Sequence, residues 1–290
     1  PELQLSENIS ASEDLGGVVN GAEYILVATP SSIFNKIIPR LEPHIDSSAF
    51  VISCTKGIQP NPFSTMTEII SKHLGHVIGD KVGALSGPNL AKEIADQKIA
   101  GTVIASSNKT LSSEIKTILS SNTFKVFSST DIQGVELAGA LKNIYAICCG
   151  IAHAKNVGEN ALGFIVTRSM AEMSRFAVAT GANPITFLGL SGMGDLVATC
   201  TSGLSRNYQL GSNLGQGMSL QESKDKVGQV AEGIRTLEVI KEESSRLNIN
   251  MPLVDSLYNI IYKESSADTL INDLVNNPNE VDVEFQHRGN

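Results

Sequence analysis

The sequence has few of the residues that mark several classes of protein. It has no tryptophan, 5% aromatic residues and four cysteines among 290 residues. Cys148 and Cys149 are adjacent and no C-x-x-C pair occurs, which argues against a disulfide framework and against a cysteine-based zinc site. The five histidines show no metal-ligand spacing either. We therefore expect no metal and reduced thiols, as in a cytoplasmic protein.

Positive charge is also scarce. Lys and Arg number 22 against 30 Asp and Glu, a net charge of −8, and no basic block occurs. This balance argues against nucleic-acid and acidic-membrane partners. The longest nearly apolar run, residues 144–152, is far shorter than the ~20 residues that cross a bilayer, and no signal peptide is present. We expect a cytoplasmic protein without membrane insertion.

The apolar pattern changes near residue 130. Before it, short apolar runs alternate with helical stretches, which predicts an α/β fold with a parallel sheet covered by helices on both faces, similar to a Rossmann domain. After it, only helical periodicity remains. The expected strands are 24–28, 49–53, 82–85, 102–105 and 124–127, and the expected later helices are 131–152, 160–180, 205–214, 219–226, 231–247, 252–263 and 267–275. The sequence thus predicts a dinucleotide-binding domain at 1–129 and an all-α domain at 130–290.

One element of the doubly wound fold is absent. No G-x-G-x-x-G turn lies between a strand and a helix. Because the first strand of this fold lies in the middle of its sheet, we expect a βαβ unit of roughly 30 or more residues upstream of Pro1. The alternative is that Pro1 is a mature terminus left after removal of methionine.

Two charged residues after residue 130 have both a structural and a functional interpretation. Lys142 lies in a helix with only two charges, where burial would lower its pKa toward the range of a proton-transfer group. The simpler interpretation, which the local context favours, is an apolar stem with the ammonium reaching water. Asp195 follows the sequence Gly-Met-Gly, and the sequence slightly favours a helix N-cap over a residue that holds a hydroxyl or an ammonium.

Three further segments carry polar groups suited to anions. Ser205-Arg206-Asn207 opens a predicted helix, where backbone N–H groups and a guanidinium form an anion site; a surface arginine beside a capping serine is an equally common explanation. Lys56 directly follows a predicted strand. Gly87, after the next strand, permits close approach of the backbone to a ligand.

Taken together and in order, six segments resemble the bacterial type of NAD(P)-dependent glycerol-3-phosphate dehydrogenase. The resemblance extends from about residue 5 to residue 274. The segments are SCTKGI at 53–58, LSGPNLAKE at 85–93, GVELAGALKN at 134–143, GLSGMGDLVATC at 189–200, SRN at 205–207 and GQVAEG at 228–233.

The resemblance implies a function and a set of partners. It implies reversible hydride transfer between NAD or NADP and sn-glycerol 3-phosphate, giving dihydroxyacetone phosphate and supplying glycerol 3-phosphate for phospholipid synthesis. It also implies a cytoplasmic homodimer. Because the family's glycine loop is absent, a chain beginning at Pro1 would bind a dinucleotide poorly.

The resemblance also assigns roles to individual residues. Lys142 would accept the substrate proton, Lys56 would polarise the carbonyl oxygen, and Asp195 would belong to the same catalytic network. The implied substrate-binding residues are Lys56, Gly87, Asn89, Lys142, Asp195, Ser205, Arg206 and Asn207. The implied cofactor-binding residues are Lys56, Ala91, Arg206, Val230 and Glu232. Asn89 departs from the Ser or Thr usual in the family, although an amide still forms hydrogen bonds.

Two other hypotheses remain. One is a hydroxyacid dehydrogenase of a neighbouring family that combines a Rossmann domain with a helical domain. The other is a non-catalytic fragment that acts as a binding module, with a folded chain and no affinity for cofactor.

Overall fold

The computed structural model describes residues 6–228 and 231–276, and the chain divides into two compact units, Pro1–Glu136 and Leu137–Asn290. The last of the described strands ends at Ser129, and the next helix begins at Ile132. The predicted boundary after residue 129 falls between these two elements. The assignment of a cofactor-binding and a substrate-binding domain on either side of it stays a prediction.

The first unit is a five-stranded sheet with helical connections. Its strands are β1 (Tyr24–Val27), β2 (Phe50–Ser53), β3 (Val82–Ser86), β4 (Ala100–Ala105) and β5 (Phe124–Ser129). Its helices are α1 (Leu15–Val19), α2 (Ser31–Ile37), α3 (Met66–Ile78), α4 (Ala91–Ala95) and α5 (Lys109–Leu119), with a 3-10 segment at Ile38–His44. All five predicted strands are present, with small differences at their ends.

The strands lie in the order β1-β2-β3-β4-β5, and three of the four pairings are parallel, as predicted. The β3–β4 pairing is antiparallel, so the sheet is mixed. A parallel crossover usually contains a helix packed on the sheet, whereas this connection contains only the five-residue α4. Apolar periodicity does not encode strand direction. Because β1, β2 and β3 are parallel to one another, their carboxyl ends lie at one edge of the sheet.

Apolar residues cover both faces of this sheet. Val51 and Ile52 are adjacent in β2 and belong to different core clusters, because successive side chains of a strand point to opposite faces. Val51 packs with Phe34 and Leu74 from the helical segments of one face. Ile52 packs with the cluster that contains α5 on the other face. This confirms the predicted α/β layering.

The regular elements that the structure describes after Ser129 are all helical. They are α6 (Ile132–Ala154), α7 (Glu159–Thr180), α8 (Asp195–Cys200), α9 (Arg206–Gly215), α10 (Leu220–Val227), α11 (Glu232–Arg246), α12 (Pro252–Tyr262) and α13 (Asp268–Val275), with a 3-10 turn at Pro184–Leu188 and a π turn at Leu190–Gly194. Gly181 ends α7 in the left-handed conformation, and Ser219 caps α10. Both signals are readable in the sequence.

Helix α6 is deeply buried. It is the one helix among the described residues that is long and apolar enough, by length and composition, to cross a membrane. Its apolar 18-residue window is entirely buried inside the protein. This burial is typical of the core helix of a soluble domain.

Candidate active site

Lys142 is a buried lysine whose ammonium group is hydrogen-bonded to other side chains of the second unit. It is 6% exposed in α6, its ammonium contacts the carboxylate of Asp195, and it donates to Thr199 Oγ1 at 2.8 Å. Asp195 is 1% exposed. The prediction that the ammonium reaches water is therefore wrong. A charge removed from water requires a counter-charge and further hydrogen bonds, and both are present here.

The two glycines before Asp195 allow the chain to place this carboxylate. They form part of the π turn Leu190–Gly194, and a Cβ on Gly192 would lie 2.0 Å from the carbonyl oxygen of Phe187. Gly194 occupies the N-cap position of α8, and Asp195 is the first residue of the helix with no side-chain cap bond there. The N-cap prediction for Asp195 is therefore wrong, because its side chain is directed to Lys142 instead.

Thr199 completes this cluster, and the sequence reasoning missed it. It lies four residues after Asp195 in α8, and its hydroxyl donates to the Asp195 carbonyl oxygen at 2.6 Å. The same hydroxyl oxygen accepts the hydrogen bond from Lys142. Residues four apart share a helix face, so the spacing could have identified Thr199 once Asp195 was assigned to the cluster.

The start of α9 has the predicted features of an anion site. Ser205 is its N-cap, and the serine hydroxyl accepts from the Tyr208 backbone N–H at 3.3 Å. Arg206 is the first residue of the helix and is exposed. Backbone N–H groups, the positive end of the helix dipole and a guanidinium thus lie in consecutive residues, an arrangement that suits a phosphate group.

Asn207 connects three elements of the second unit. Its side-chain Nδ2 donates to Asn143 Oδ1 at 2.9 Å, and its Oδ1 accepts from the Gly233 backbone N–H at 3.0 Å. Asn207 and Asn143 are both buried. Its amide therefore holds together segments next to Lys142 and Glu232, a role that the sequence did not indicate.

In the first unit, Lys56 follows β2 at the edge formed by the carboxyl ends of the strands. Its Nζ donates to the Gly87 carbonyl oxygen at 2.8 Å, and the neighbouring Thr55 hydroxyl donates to the Thr29 carbonyl oxygen at 2.7 Å. These bonds connect the loop after β2 to the loops after β1 and β3. They bring Lys56 and Gly87 together, as the predicted common site requires.

The segment after β3 is tightly packed. A Cβ on Gly87 would lie 2.9 Å from the Gly101 carbonyl oxygen, so a larger residue would displace one of the two strands. Asn89 Nδ2 donates to the same oxygen at 3.2 Å, and Asn89 Oδ1 accepts from Thr102 Oγ1 at 3.0 Å. The amide of Asn89 therefore forms hydrogen bonds within the protein. Ala91 is exposed as the first residue of α4.

Two buried hydroxyls at this edge fit a bound ligand. Thr29 Oγ1 and Ser86 Oγ, at the ends of β1 and β3, have no hydrogen-bond partner among the described residues. A buried polar atom without a partner costs about 1–3 kcal/mol, and a polar ligand at the strand ends would satisfy it. Of the remaining cofactor positions, Glu232 is the first residue of α11, and Val230 lies outside the described residues.

Cys54, Cys148 and Cys200 are not suited to nucleophilic chemistry. All four are free thiols, and burial raises the pKa of Cys54 to about 11. Burial also raises the pKa of Cys148, and a hydrogen bond with Cys149 together with burial raises that of Cys200. Protonated thiols are weak nucleophiles. Within residues 6–228 and 231–276, no group of three or more His, Cys, Asp or Glu side chains is placed to hold a metal ion.

Sequence comparisons identify relatives across nearly the whole chain. Residues 1–112 match the model of the NAD-dependent glycerol-3-phosphate dehydrogenase N-terminus, and residues 131–272 match that of its C-terminus. A glycerol-3-phosphate dehydrogenase [NAD(P)+] from Alcanivorax borkumensis is 46% identical over 99% of this chain and 82% of its own length. The enzyme of the same name from Acinetobacter baylyi is 46% identical over 98% of this chain and 79% of its own length.

Solved structures agree with these matches. The glycerol-3-phosphate dehydrogenase of Coxiella burnetii superposes with a TM-score of 0.90 at 32% identity, covering 95% of this chain and 84% of that one. The glycerol-3-phosphate dehydrogenase of Saccharomyces cerevisiae superposes with a TM-score of 0.82 at 27% identity, covering 94% of this chain and 81% of that one. A ketopantoate reductase from Ralstonia eutropha, at 14% identity and a TM-score of 0.52, shares the fold alone. The chain belongs to the NAD-dependent glycerol-3-phosphate dehydrogenase family.

Proposed function

We propose that the protein catalyses reversible hydride transfer between NAD(P) and C2 of sn-glycerol 3-phosphate, with dihydroxyacetone phosphate as the oxidised product. The observation that carries this proposal is the buried cluster of Lys142, Asp195 and Thr199. Relatives that bear this enzyme's name match the chain over almost its full length. A positioned amine is the group that oxidation of an alcohol requires, because the hydroxyl proton must leave as the hydride does.

Lys142 is the proposed proton acceptor. In the direction of alcohol oxidation, its neutral amine takes the proton of the C2 hydroxyl. In the direction of reduction, the ammonium returns this proton to the carbonyl oxygen and stabilises negative charge on that oxygen. Asp195 and Thr199 hold the Nζ atom through two hydrogen bonds, which fix the position of the amine relative to α8.

The start of α9 is the proposed phosphate site. Arg206 would bind the phosphate oxygens through its guanidinium, and the backbone N–H groups after the Ser205 cap would bind them along the helix axis. Asn207 completes the triplet, with its amide held by Asn143 and Gly233. This site would distinguish a phosphorylated substrate from the free triol.

Lys56, Gly87 and Asn89 are the proposed substrate contacts of the first unit. The Lys56 ammonium would donate to the substrate oxygen at C2, while its bond to the Gly87 carbonyl oxygen fixes its direction. The proposed cofactor-binding residues are Lys56, Ala91, Arg206, Val230 and Glu232. The cofactor supplies the nicotinamide that accepts or returns the hydride. The sequence contains no G-x-G-x-x-G turn.

We further propose a cytoplasmic homodimer that supplies glycerol 3-phosphate for phospholipid synthesis. In each subunit, residues 1–129 would form the dinucleotide-binding domain and residues 130–290 the substrate-binding domain. The free thiols support a reducing compartment. Val178, Ile185 and Leu188 are exposed apolar side chains near the end of α7, and such groups are frequent at subunit interfaces. Sedimentation velocity measures the oligomeric state, and a single monomeric species at all concentrations would contradict the dimer.

A substrate panel tests the activity. Oxidation of NADH and NADPH is followed with dihydroxyacetone phosphate, dihydroxyacetone and a set of 2-keto acids as acceptors. The proposal predicts turnover with the phosphorylated ketone and a large loss of kcat/KM without the phosphate. Preference for a 2-keto acid would instead support a neighbouring family of dehydrogenases. A folded protein that neither binds a nicotinamide cofactor nor turns over would support the non-catalytic alternative.

A further inference from the structure

Glu136 is a buried carboxylate that the proposed mechanism does not use. It lies in the second turn of α6 with 6% of its surface exposed. Its Oε1 accepts from the Thr67 backbone N–H at 2.9 Å, and its Oε2 accepts from the Thr67 hydroxyl. Burial raises the pKa of Glu136 to about 7, although the hydrogen bonds from Thr67 and Thr65 oppose this shift. Burial of a carboxyl group costs free energy, and the hydrogen bonds from Thr67 offset part of that cost.

The partner of Glu136 is the start of α3. Thr65 is the N-cap of this helix, and Thr65 and Glu68 form a reciprocal capping box. The Thr67 N–H belongs to the first turn and has no acceptor inside the helix. Glu136 supplies that acceptor from outside the helix. The first turn of α3 is therefore held by its own capping box and by Glu136.

The start of α3 is also the end of the loop that carries Lys56. We call residues 54–64 the Lys56 loop. Its beginning is held to the strand ends by Thr55 and Lys56. Its end is closed by paired backbone bonds between Gln59 and Ser64, of 2.9 and 3.1 Å, immediately before the Thr65 cap. The middle of the loop is held by the start of α2, since Gln59 Nε2 donates to the Ser31 carbonyl oxygen. A shift of the first turn of α3 would therefore act on the loop from its end, through Ser64 and Gln59, three residues from Lys56.

From these contacts we infer that Glu136 is a positioning residue for Lys56: by holding the first turn of α3 it fixes the loop that presents the Lys56 ammonium to the substrate. This inference rests on the proposed role of Lys56. Glu136 touches no reacting atom. Its effect on catalysis arises from the placement of the lysine, for which a displacement of about 1 Å reduces rates on the order of a hundredfold.

The first experiment measures the position of Lys56 without cofactor or turnover. The rate at which an acylating reagent modifies the Lys56 Nζ is followed by peptide mass spectrometry in the wild type, Glu136→Ala and Glu136→Gln. We expect modification several times faster in Glu136→Ala, because the bond from Lys56 to the Gly87 carbonyl oxygen weakens as the loop moves. Glu136→Gln keeps an acceptor for the Thr67 N–H and should restore a rate near that of the wild type.

Glu172→Ala is the matched control. Glu172 is also a buried glutamate that accepts a backbone N–H in the first turn of a helix, in this case Leu253 of α12. Both alanine variants should lower the unfolding midpoint, but only Glu136→Ala should change the modification rate of Lys56. If Glu136→Ala does not fold, Thr67→Val is measured instead, since it removes the hydroxyl contact to Glu136 and keeps the backbone N–H contact. Unchanged Lys56 reactivity in every folded variant, or an equal change in Glu172→Ala, would overturn the inference.

A double-mutant cycle in turnover separates this inference from the proposed function. If Glu136 acts through Lys56, Glu136→Ala lowers kcat/KM on the order of tenfold or more when it is the only substitution. Added to Lys56→Gln, it should lower kcat/KM little further. Multiplicative losses in the double variant contradict the inference while leaving the function intact. An active Lys56→Gln variant contradicts the proposed role of Lys56 itself, and the modification rates then still report whether Glu136 positions that lysine.

Discussion

Lys142 in α6 and Thr199 in α8 are joined by a hydrogen bond of 2.8 Å, in which the threonine hydroxyl is the acceptor. The same hydroxyl donates to the Asp195 carbonyl oxygen at 2.6 Å. Its direction is thus fixed by the helix that also carries Asp195. The charged partner Asp195 and the neutral partner Thr199 of the Lys142 amine both lie in the six-residue helix α8.

Thr199→Val tests this neutral contact. Valine has nearly the same shape and removes only the hydroxyl, so we expect an intact fold and a loss of kcat on the order of tenfold from the less well-oriented amine. Steady-state kinetics with circular dichroism provides the measurement. Thr201→Val is the control, because Thr201 is exposed and donates to the Val197 carbonyl oxygen in the same way. Equal kinetics for the two variants would contradict the role of Thr199.

Asp195→Asn tests the charged contact through stability. The substitution leaves the Lys142 ammonium buried without its counter-charge, which in other proteins costs about 3–5 kcal/mol of unfolding free energy. Urea denaturation measures this loss. Asp255→Asn is the control: Asp255 pairs with Lys241 at 2.6 Å, but both side chains are partly exposed, so that loss should stay below about 1 kcal/mol. A loss no larger than that of Asp255→Asn would show that the Lys142–Asp195 pair is not an isolated buried ion pair.

Gly192→Ala tests whether the π turn places Asp195. The new Cβ would lie 2.0 Å from the Phe187 carbonyl oxygen, so the turn must open and displace the carboxylate. We expect lower stability together with a loss of turnover. Gly163→Ala in α7 meets no atom within 4 Å and should raise the stability by about 0.5–1 kcal/mol. A thermal melt compares the two, and a stable, active Gly192→Ala variant would contradict the placement.

The buried carboxyl of Glu172 predicts a dependence of stability on pH. It accepts from the Leu253 N–H at 2.6 Å and from the Tyr145 hydroxyl at 3.2 Å, and burial raises its pKa from 4.5 to about 7. The folded state therefore holds this proton more tightly than the unfolded state. The stabilisation is complete below pH 4.5 and is lost as the pH rises to about 7, with a slope of at most about 1.4 kcal/mol per pH unit.

Glu172→Gln checks this sign, because glutamine resembles the protonated acid at every pH. The stability of the variant relative to the wild type should increase between pH 5 and pH 8 in denaturation experiments. Glu222→Gln is the control. Hydrogen bonds from Ser219 lower the pKa of the exposed Glu222, so its contribution is present above its ordinary pKa and constant over this interval. A pH-independent difference between the wild type and Glu172→Gln would contradict the prediction.

The sequence predicts the helices and strands well because their signals are local. Ser205 and Ser219 begin helices, Gly181 ends one, and the apolar period separates the sheet from the helical part. The direction of β4 is not local: it depends on how the chain crosses from β3, and the apolar pattern is the same in either direction. The fold class is therefore confirmed, with one pairing corrected.

The contacts that form the site join residues far apart in the sequence, whereas the signals for helices and strands lie within a few residues. The burial of Lys142 depends on Asp195 and Thr199, which lie 53 and 57 residues further along the chain, so the local context favoured an exposed lysine. Asp195 follows two glycines as an N-cap often does, but the π turn shifts the cap position to Gly194. The resemblance to a family did indicate Lys142 and Asp195 as catalytic residues. It could do so because it compares several distant segments of the sequence at once.

The turnover of Lys142→Met tests the central claim most directly. Methionine keeps an unbranched apolar stem in α6 and removes the amine, and circular dichroism verifies that the variant is folded. If Lys142 is the proton acceptor, reduction of dihydroxyacetone phosphate falls by a factor of about 10²–10⁴, while the binding of the cofactor to the folded variant changes little. A folded Lys142→Met variant that keeps more than about a tenth of wild-type turnover would contradict the account, since general acid–base catalysis contributes at least a hundredfold.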